Sequence, residues 1–376
     1  MRARHNASPV DGRRVKIETA AATDPAWLQP QPAETAVALP AQCYVDPAFH
    51  AHERVAVFAR SWQLVARMEQ LATAGDHIVA EIAGVPLVIV RGDDGVLRAL
   101  HNVCRHRAGP LATCDGSNAR ALTCKYHGWT YALDGRLLGA PEMGRAQAFD
   151  VASIQLPGAQ VGEWRELVFA AIDGAPAFAD FVAGIDARLP AGPPLAFAGR
   201  ASYTIACNWK GYVDNFLEGY HLPHVHPQLN ALLDYRSYTT ELAPWFSLQS
   251  SPLDRGNALY GDGVALYYWL YPNTMLNVLP GRLQTNRVVP LDEQHCRVDF
   301  DFFYTHEASV QYAQDAGFSD LVQREDIAIC EAVQRGLASG SYVAGRLNPL
   351  REKGVWHFHE LLRSAYRSAV QPNQTR

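Results

Sequence analysis

The spacing of hydrophobic and polar residues changes several times along the chain, and each change predicts an element. Residues 1–45 are rich in Ala, Pro and polar side chains without sustained periodicity, and are expected to form a flexible lead-in. Over residues 47–62, Phe49, Val55, Val57 and Phe58 are interleaved with His, Glu and Arg at spacing that predicts a helix. The period then drops to two. Segments 78–82, 85–90 and 96–100 read as strands, the last two joined by the turn Gly92-Asp93-Asp94-Gly95. Trp129-Thr130-Tyr131 ahead of Asp134-Gly135 predicts a further hairpin. A small β domain, with its leading helix, is thus expected over residues 46–160.

In residues 161–376, strand-like runs recur at 167–172, 265–270, 274–279, 284–290 and 296–304, with helical signals at 209–220 and 319–337. Within 296–304, Asp299, Asp301 and Phe303 alternate with Phe300, Phe302 and Tyr304, the pattern of a half-buried antiparallel strand. An antiparallel sheet covered by helices on one face is an α+β arrangement. The expected fold is therefore α+β, an all-β N-terminal domain followed by a larger antiparallel-sheet domain.

Composition removes several function classes. The 376 residues are 48% hydrophobic and 19% charged, with a formal charge of −5, enough core for two domains and no basic excess for nucleic acid or an anionic membrane. Arg2, Arg4, Arg13 and Arg14 read as a solvated tail. No apolar run has the length of a membrane span and the N-terminus lacks the stretch of a secretory signal, so a cytoplasmic location is expected. Seven cysteines are an odd count; Cys43, Cys114, Cys207, Cys296 and Cys330 are expected as reduced, buried thiols.

The other two cysteines stand beside histidines. Cys104-Arg105-His106 and Cys124-Lys125-Tyr126-His127 each offer one thiolate and one imidazole, separated by seventeen residues. A Rieske [2Fe–2S] cluster needs that set, two cysteines on one iron and two histidines on the other. Zinc is the alternative, although structural zinc sites usually pair like with like along the chain. The run C-R-H-R followed by C-K-Y-H-G-W resembles the Rieske domain of the ring-hydroxylating and related non-haem iron oxygenases. Respiratory Rieske proteins carry an extra, disulfide-bonded cysteine beside each ligand pair. Ala108 and Lys125 stand near those places here, which implies a lower reduction potential. For the second domain the resemblance implies a helix-grip fold enclosing a deep pocket.

A second constellation lies between Asn208 and Pro227, where Glu218 precedes His221, His224 and His226. On an ideal helix His221 and His224 would share a face and His226 would point away, but Pro223 and Pro227 disfavour an ideal helix. The family pattern, acid-x2-His-x4-His, implies His221 and His226 as ligands of a mononuclear Fe(II) and leaves His224 out. Such a site takes two histidines and one carboxylate, with positions left open for dioxygen. In 319–337, helical spacing aligns Val322, Asp326, Ile329, Cys330, Val333 and Leu337, and Asp326 is the acid that interrupts the apolar stripe. A buried carboxylate is costly unless it is paired or metal-bound, whereas Asp320, Glu325 and Glu331 can stay solvated. A surface ion pair is the other reading of Asp326; the family position implies a ligand. The resemblance also implies that Glu218 hydrogen-bonds His221 and links it to His127 of a neighbouring subunit, in a head-to-tail homotrimer.

The blocks Cys330 to Leu337, Tyr342, Gly345-Arg346 and Trp356 to Leu362 resemble the choline and carnitine monooxygenase-like subgroup. That implies a terminal oxygenase component acting on a quaternary ammonium compound, or alternatively on an aromatic acid. Tyr267, Trp269 and Tyr271 alternate along one strand face and would form a cationic cage or simply core. Neither a G-x-G-x-x-G fingerprint nor a plant-type ferredoxin cysteine run is present, so a separate NAD(P)H-dependent reductase is expected. A bare electron-transfer protein is the reading from another class, and the long second domain with its own ligand set argues against it.

Overall fold

The computed structural model of the chain describes residues 25–189, 192–253, 259 and 261–370. Helix α1 (Gln42–Val45) is a single turn, and α2 (Pro47–Ala56) starts where Asp46 accepts the Ala48 N–H and Pro47 takes the first helical position. The helix expected over 47–62 is shorter than that, ending in a tight turn at Phe58–Arg60. Strands β1 (Gln63–Arg67), β2 (His77–Ile82), β3 (Val85–Arg91) and β4 (Leu97–His101) follow, and β4 leads into Cys104. A small sheet of β5 (Leu122–Thr123), β6 (Thr130–Tyr131) and β7 (Leu137–Gly139) carries Cys124 just past β5.

Strands β8 (Gly158–Trp164) and β9 (Leu167–Ala171) return to the first large sheet, whose antiparallel order is β1-β9-β8-β4-β3-β2. The run 167–172, expected as the first strand of the second domain, is therefore a central strand of the first sheet, with Gln63 opposite Ala170 and Trp164 opposite Leu167. All five residues of β9 are buried. An apolar run identifies a buried strand but not the sheet that takes it. The first sheet extends to Ala171, past the expected boundary at residue 160.

After helix α3 (Phe178–Val182) come β10 (Ala196–Ile205), α4 (Trp209–Phe216) and two single turns, α5 (Leu222–Val225) and α6 (Pro227–Asn230). Strands β11 (Thr239–Leu242), β12 (Phe246–Pro252), β13 (Val264–Leu270), β14 (Thr274–Leu279), β15 (Arg282–Pro290) and β16 (Cys296–Tyr304) meander in order, and β10 closes the far edge beside β16. The long helices α7 (Tyr312–Ala338) and α8 (Lys353–Val370) complete the domain. No helix among the described residues is long and apolar enough to cross a membrane. Strand β16 is buried on both faces rather than one. Its acids explain this: Asp301 receives both Arg200 Nε (2.5 Å) and Arg200 Nη2 (2.6 Å), and lies 3.5 Å from Arg67 at the end of β1. That pairing joins the two large sheets, because a carboxylate only 4% exposed needs its cations.

The lead-in is also corrected. Residues 1–24 lie outside the described residues, but from Trp27 the segment is packed, with Leu28, Leu39, Cys43 and Tyr44 buried. Arg363 of α8, fully buried, donates to Trp27 O (2.8 Å) and Val37 O (2.9 Å), and the Trp356 indole donates to Gln31 O (2.8 Å). Aperiodic polar sequence hides such a strap, because its partners are backbone carbonyls that any residue supplies.

Behind the strap, Glu53 of α2 is 0% exposed and accepts from Trp209 Nε1 (2.7 Å) and Tyr366 Oη (2.5 Å), with Lys210 Nζ 2.7 Å away. Lys210→Met leaves that carboxylate buried without its cation and is expected to cost about 3–5 kcal/mol in urea unfolding. Glu53→Gln/Lys210→Met removes both charges and is expected to recover most of the loss.

Candidate metal centres

The two Cys/His segments fold into the same turn. Cys104 N–H donates to Gly109 O and Ala108 N–H returns to Cys104 O, both at 2.9 Å; Cys124 does the same with Trp129 O and the Gly128 N–H, again at 2.9 Å. Each turn closes through a left-handed residue, Ala108 at φ 56° and Gly128 at φ 73°. Both thiols are buried in one apolar cluster. The turns approach closely: a Cβ on Gly109 would fall 2.9 Å from Cys124 Sγ. The imidazoles of His106 and His127 sit with ring centres 4.6 Å apart, His106 stacked on Trp129 at 4.8 Å and His127 exposed. Tyr131 Oη lies 3.3 Å from Cys104 Sγ and accepts the Arg105 N–H. His106 Nδ1 is buried with no partner among the described residues. Desolvation, then Arg107, lowers the His127 pKa and favours the neutral ring a metal needs. The donor set and this orphaned nitrogen fit a cluster.

Glu218, His221 and His226 follow α4. Only one of the two prolines acts as expected: Pro223 sits in the first turn of α5, whereas Pro227 starts a new turn and His226 before it breaks from helix at φ −123°, ψ 67°. Helical-wheel geometry therefore does not apply, and His226 folds back beside His221. The ligand atoms of His221, His226 and Asp326 of α7 all lie within 4.8 Å of one another. His224 is exposed and outside this group. Glu218 Oε1 is 2.7 Å from His221 Nδ1, and Glu218 Oε2 accepts the His221 N–H (3.1 Å) and that of Tyr220. His226, 1% exposed, places Nε2 2.9 Å from Asp326 Oδ1 and Nδ1 2.7 Å from Glu325 Oε2. Burial lowers the His226 pKa, but the two carboxylates outweigh it and the net shift is upward.

Glu325 is thus a site residue, not the solvated acid expected. Asn215, which donates to Asp326 Oδ1 at 2.6 Å, was also not legible. A signal existed for Glu325: a histidine bound to metal through one nitrogen requires a partner for the other. The apolar stripe expected on α7 is displaced as well. Cys330 and Leu337 are buried as expected, but Ile329 and Val333 are exposed, and the helix buries Asp315, Gln323 and Gln334 in their place. Gln334 is paired at both ends, by the Asn208 N–H (3.0 Å) and Tyr44 O (3.2 Å), whereas Gln323 accepts from Tyr212 Oη (2.7 Å) and keeps a buried Nε2 with no partner among the described residues. None of the seven cysteines is in a disulfide, but Cys114, expected buried, is exposed.

A cavity bounded by the sheet, α4 and α7 opens onto His221, His226, Asp326 and Glu218. Of the three alternating aromatics, Tyr267 lines it. Trp269 and Tyr271 do not: the Trp269 ring is fully buried 5.2 Å from Phe358 and donates to Pro272 O, and Tyr271 lies past the end of β13 against Trp245 and Trp269. Strand β13 is longer than the cavity, and α8 covers the rest of that face.

Residues 61–154 match the Rieske [2Fe-2S] domain and residues 194–368 the ring hydroxylating alpha subunit catalytic domain. The chloroplastic choline monooxygenase of Arabidopsis thaliana is 35% identical over 357 residues, 88% of this chain and 83% of the plant protein. The carnitine monooxygenase oxygenase subunit of Escherichia coli K12 is 33% identical over 350 residues, 88% and 94% of the two chains. A solved quaternary ammonium Rieske monooxygenase, CntA, superposes with a TM-score of 0.80 at 28% identity, over 90% of this chain and 99% of that one. Naphthalene 1,2-dioxygenase from Rhodococcus sp., at 18% identity and a TM-score of 0.73, shares the fold. The duplicated Cys/His turn, the 2-His-1-carboxylate group and these likenesses agree, and the chain belongs to the Rieske oxygenases with a ring-hydroxylating alpha catalytic domain, enzymes that carry a [2Fe–2S] cluster and a mononuclear iron.

Proposed function

We propose that the chain is the terminal oxygenase component of a system that hydroxylates or demethylates a quaternary ammonium compound, with electrons delivered by a separate NAD(P)H-dependent reductase. The observation that carries this reading is the convergence of His221, His226 and Asp326 on a cavity with aromatic walls, among them Phe216, Tyr238, Phe300 and Phe302. Aromatic faces attract an ammonium group, and the choline and carnitine monooxygenases named above support the class. An aromatic acid is the second reading. Arg282 lines the cavity and would meet its carboxylate, but that guanidinium is already paired with Asp315.

In this reading Cys104 and Cys124 hold one iron of the cluster, His106 and His127 the other, and His221, His226 and Asp326 hold the mononuclear iron. When bound, the two centres supply the electrons and the dioxygen chemistry. Glu218 and Glu325 take the Nδ1 positions of His221 and His226, which leaves Nε2 of each ring as the ligand atom and raises its basicity. Asn215 holds Asp326 in place. Glu218 has a second role, joining His221 to the exposed His127 of the next subunit in a head-to-tail homotrimer. The absence of disulfides among the seven cysteines fits a reducing, cytoplasmic setting.

Protein purified without oxygen is expected to carry about three irons per chain. His106→Ala should lose the visible Rieske spectrum, and a wild-type signal in that variant would falsify the cluster assignment. His226→Ala and Asp326→Ala should keep that spectrum but lose the third iron and turnover, whereas His224→Ala keeps all three; iron analysis distinguishes them. Glu325→Gln should weaken mononuclear iron binding by about 10–100-fold in a chelator competition. In a single turnover of pre-reduced protein, Glu218→Gln should retain both metals yet reoxidise slowly and form little product. Normal reoxidation there would return Glu218 to the status of a positioning acid within one subunit.

A further inference from the structure

The sheet wall of the cavity carries a row of polar side chains, one from each of four adjacent strands. Gln249 stands opposite Tyr267, Tyr267 opposite Asn277, and Asn277 opposite Gln284. All four line the cavity. The outer two are engaged within the protein. Gln249 accepts from Tyr238 Oη (3.1 Å) and donates to Phe216 O (2.7 Å); Gln284 donates to Asn286 Oδ1 (2.9 Å) and accepts from Ser319 Oγ (3.4 Å). The inner two differ. The Tyr267 hydroxyl and Asn277 Oδ1 are buried oxygens with no partner among the described residues. Buried polar groups are nearly always hydrogen-bonded, and leaving one unpaired is costly. Two such atoms on directly paired strands, facing a substrate cavity, mark the seat of a polar group of the ligand. Burial pushes the Tyr267 phenol up, so it stays a neutral donor.

The neighbouring row shows which polar group fits. Arg282, opposite Leu279 and Tyr304, is committed: Nη1 binds Asp315 and Nη2 donates to Leu259 O at 2.6 Å. Asp315 also takes the Tyr304 hydroxyl (3.0 Å), and its other oxygen, Oδ1, is buried with no partner among the described residues. A substrate carboxylate placed here would find neutral side chains and a second carboxylate instead of an uncommitted cation, and a buried charge without a counter-charge is heavily penalised. A hydroxyl fits, because it accepts from Tyr267 and donates to Asn277 in the same geometry.

We infer that the substrate carries a neutral hydroxyl held by Tyr267 and Asn277 on the sheet wall of the cavity, and that this pair selects it over carboxylate-ended and purely alkyl analogues. The inference rests on the quaternary-ammonium reading above and adds a second group of the substrate that the cavity recognises.

The test is a panel of four compounds: choline, 4-hydroxybutyltrimethylammonium, propyltrimethylammonium and γ-butyrobetaine. Binding to the full-length holoenzyme is measured by calorimetry, and turnover by NADH and O2 consumption with a surrogate reductase. The hydroxyl compounds should bind about tenfold or more tighter than the alkyl and carboxylate ones, since a site built to hydrogen-bond a hydroxyl leaves its own groups unpaired with the others. Tyr267→Phe and Asn277→Leu, each checked for an unchanged Rieske spectrum and iron content, should remove that preference by weakening the hydroxyl compounds alone. Equal binding of propyltrimethylammonium and choline, a preference for γ-butyrobetaine, or equal loss for all compounds in both variants overturns the hydroxyl seat while leaving the substrate class standing. A panel in which no trimethylammonium compound binds or is consumed overturns the class and this inference together.

Discussion

A carboxylate sealed from solvent at the junction of α2, α4 and α8 disciplines the catalytic domain. Glu53 has no water to turn to, so the indole of Trp209, the hydroxyl of Tyr366 and the ammonium of Lys210 must all meet it. Trp209 and Lys210 open α4, and the far end of α4 supplies Asn215 and runs into Glu218 and His221. The segment that carries Glu218, His221 and His226 is therefore held from behind by an electrostatic requirement as well as by packing. Sliding α4 by one residue would strand a buried charge, a larger penalty than most packing defects. The paired guanidinium groups on Asp301 act similarly between the sheets, fixing the cluster domain against the catalytic one.

Each of the two histidines proposed as metal ligands has an acid at its back, Glu218 for His221 and Glu325 for His226, and Asp326 is steadied by an amide. Three carboxylates thus gather around two imidazoles. Such an excess of negative charge would attract a cation, and the acids already hold each ring turned for one, so the proposed site is arranged in advance. The cluster turns reach the same end by other means, with backbone hydrogen bonds closing each loop and a glycine admitting the opposite sulfur.

What was legible follows from how local each determinant is. The Cys/His pairs proposed for the cluster lie in two short contiguous motifs, and strands β13, β14 and β16 alternate or run apolar over most of their length. Asp326 was reached through an expected apolar stripe that the helix does not bury as a whole, since Ile329 and Val333 are exposed, and through the family position. By contrast, β10 is mostly half-exposed and pairs with β16 about a hundred residues later, and β11 has only four residues. Strand β9 was visible as a strand but not as a member of the first sheet. Glu325 was hidden because its role is set by His226, 99 residues away. The stripe of Tyr267, Trp269 and Tyr271 failed for a geometric reason: one strand face is shared between a cavity and a helix, and alternation cannot say where one gives way to the other.

The strap at residues 27–37 has a consequence for how the protein is made. Its hydrogen bonds from Arg363 span 336 and 326 residues, and that from Trp356 spans 325. Glu53 likewise waits for Tyr366, 313 residues later. Contacts so distant in sequence form late, because the intervening loop must be closed first. The first sheet can assemble while synthesis continues, since its strands all precede Asp173. The catalytic core cannot be completed until α8 has emerged, and until then Glu53 lacks the Tyr366 hydroxyl and the strap has nothing to grip. The nascent chain is thus held in a half-built state whose first domain is ready for its cofactor before the second exists.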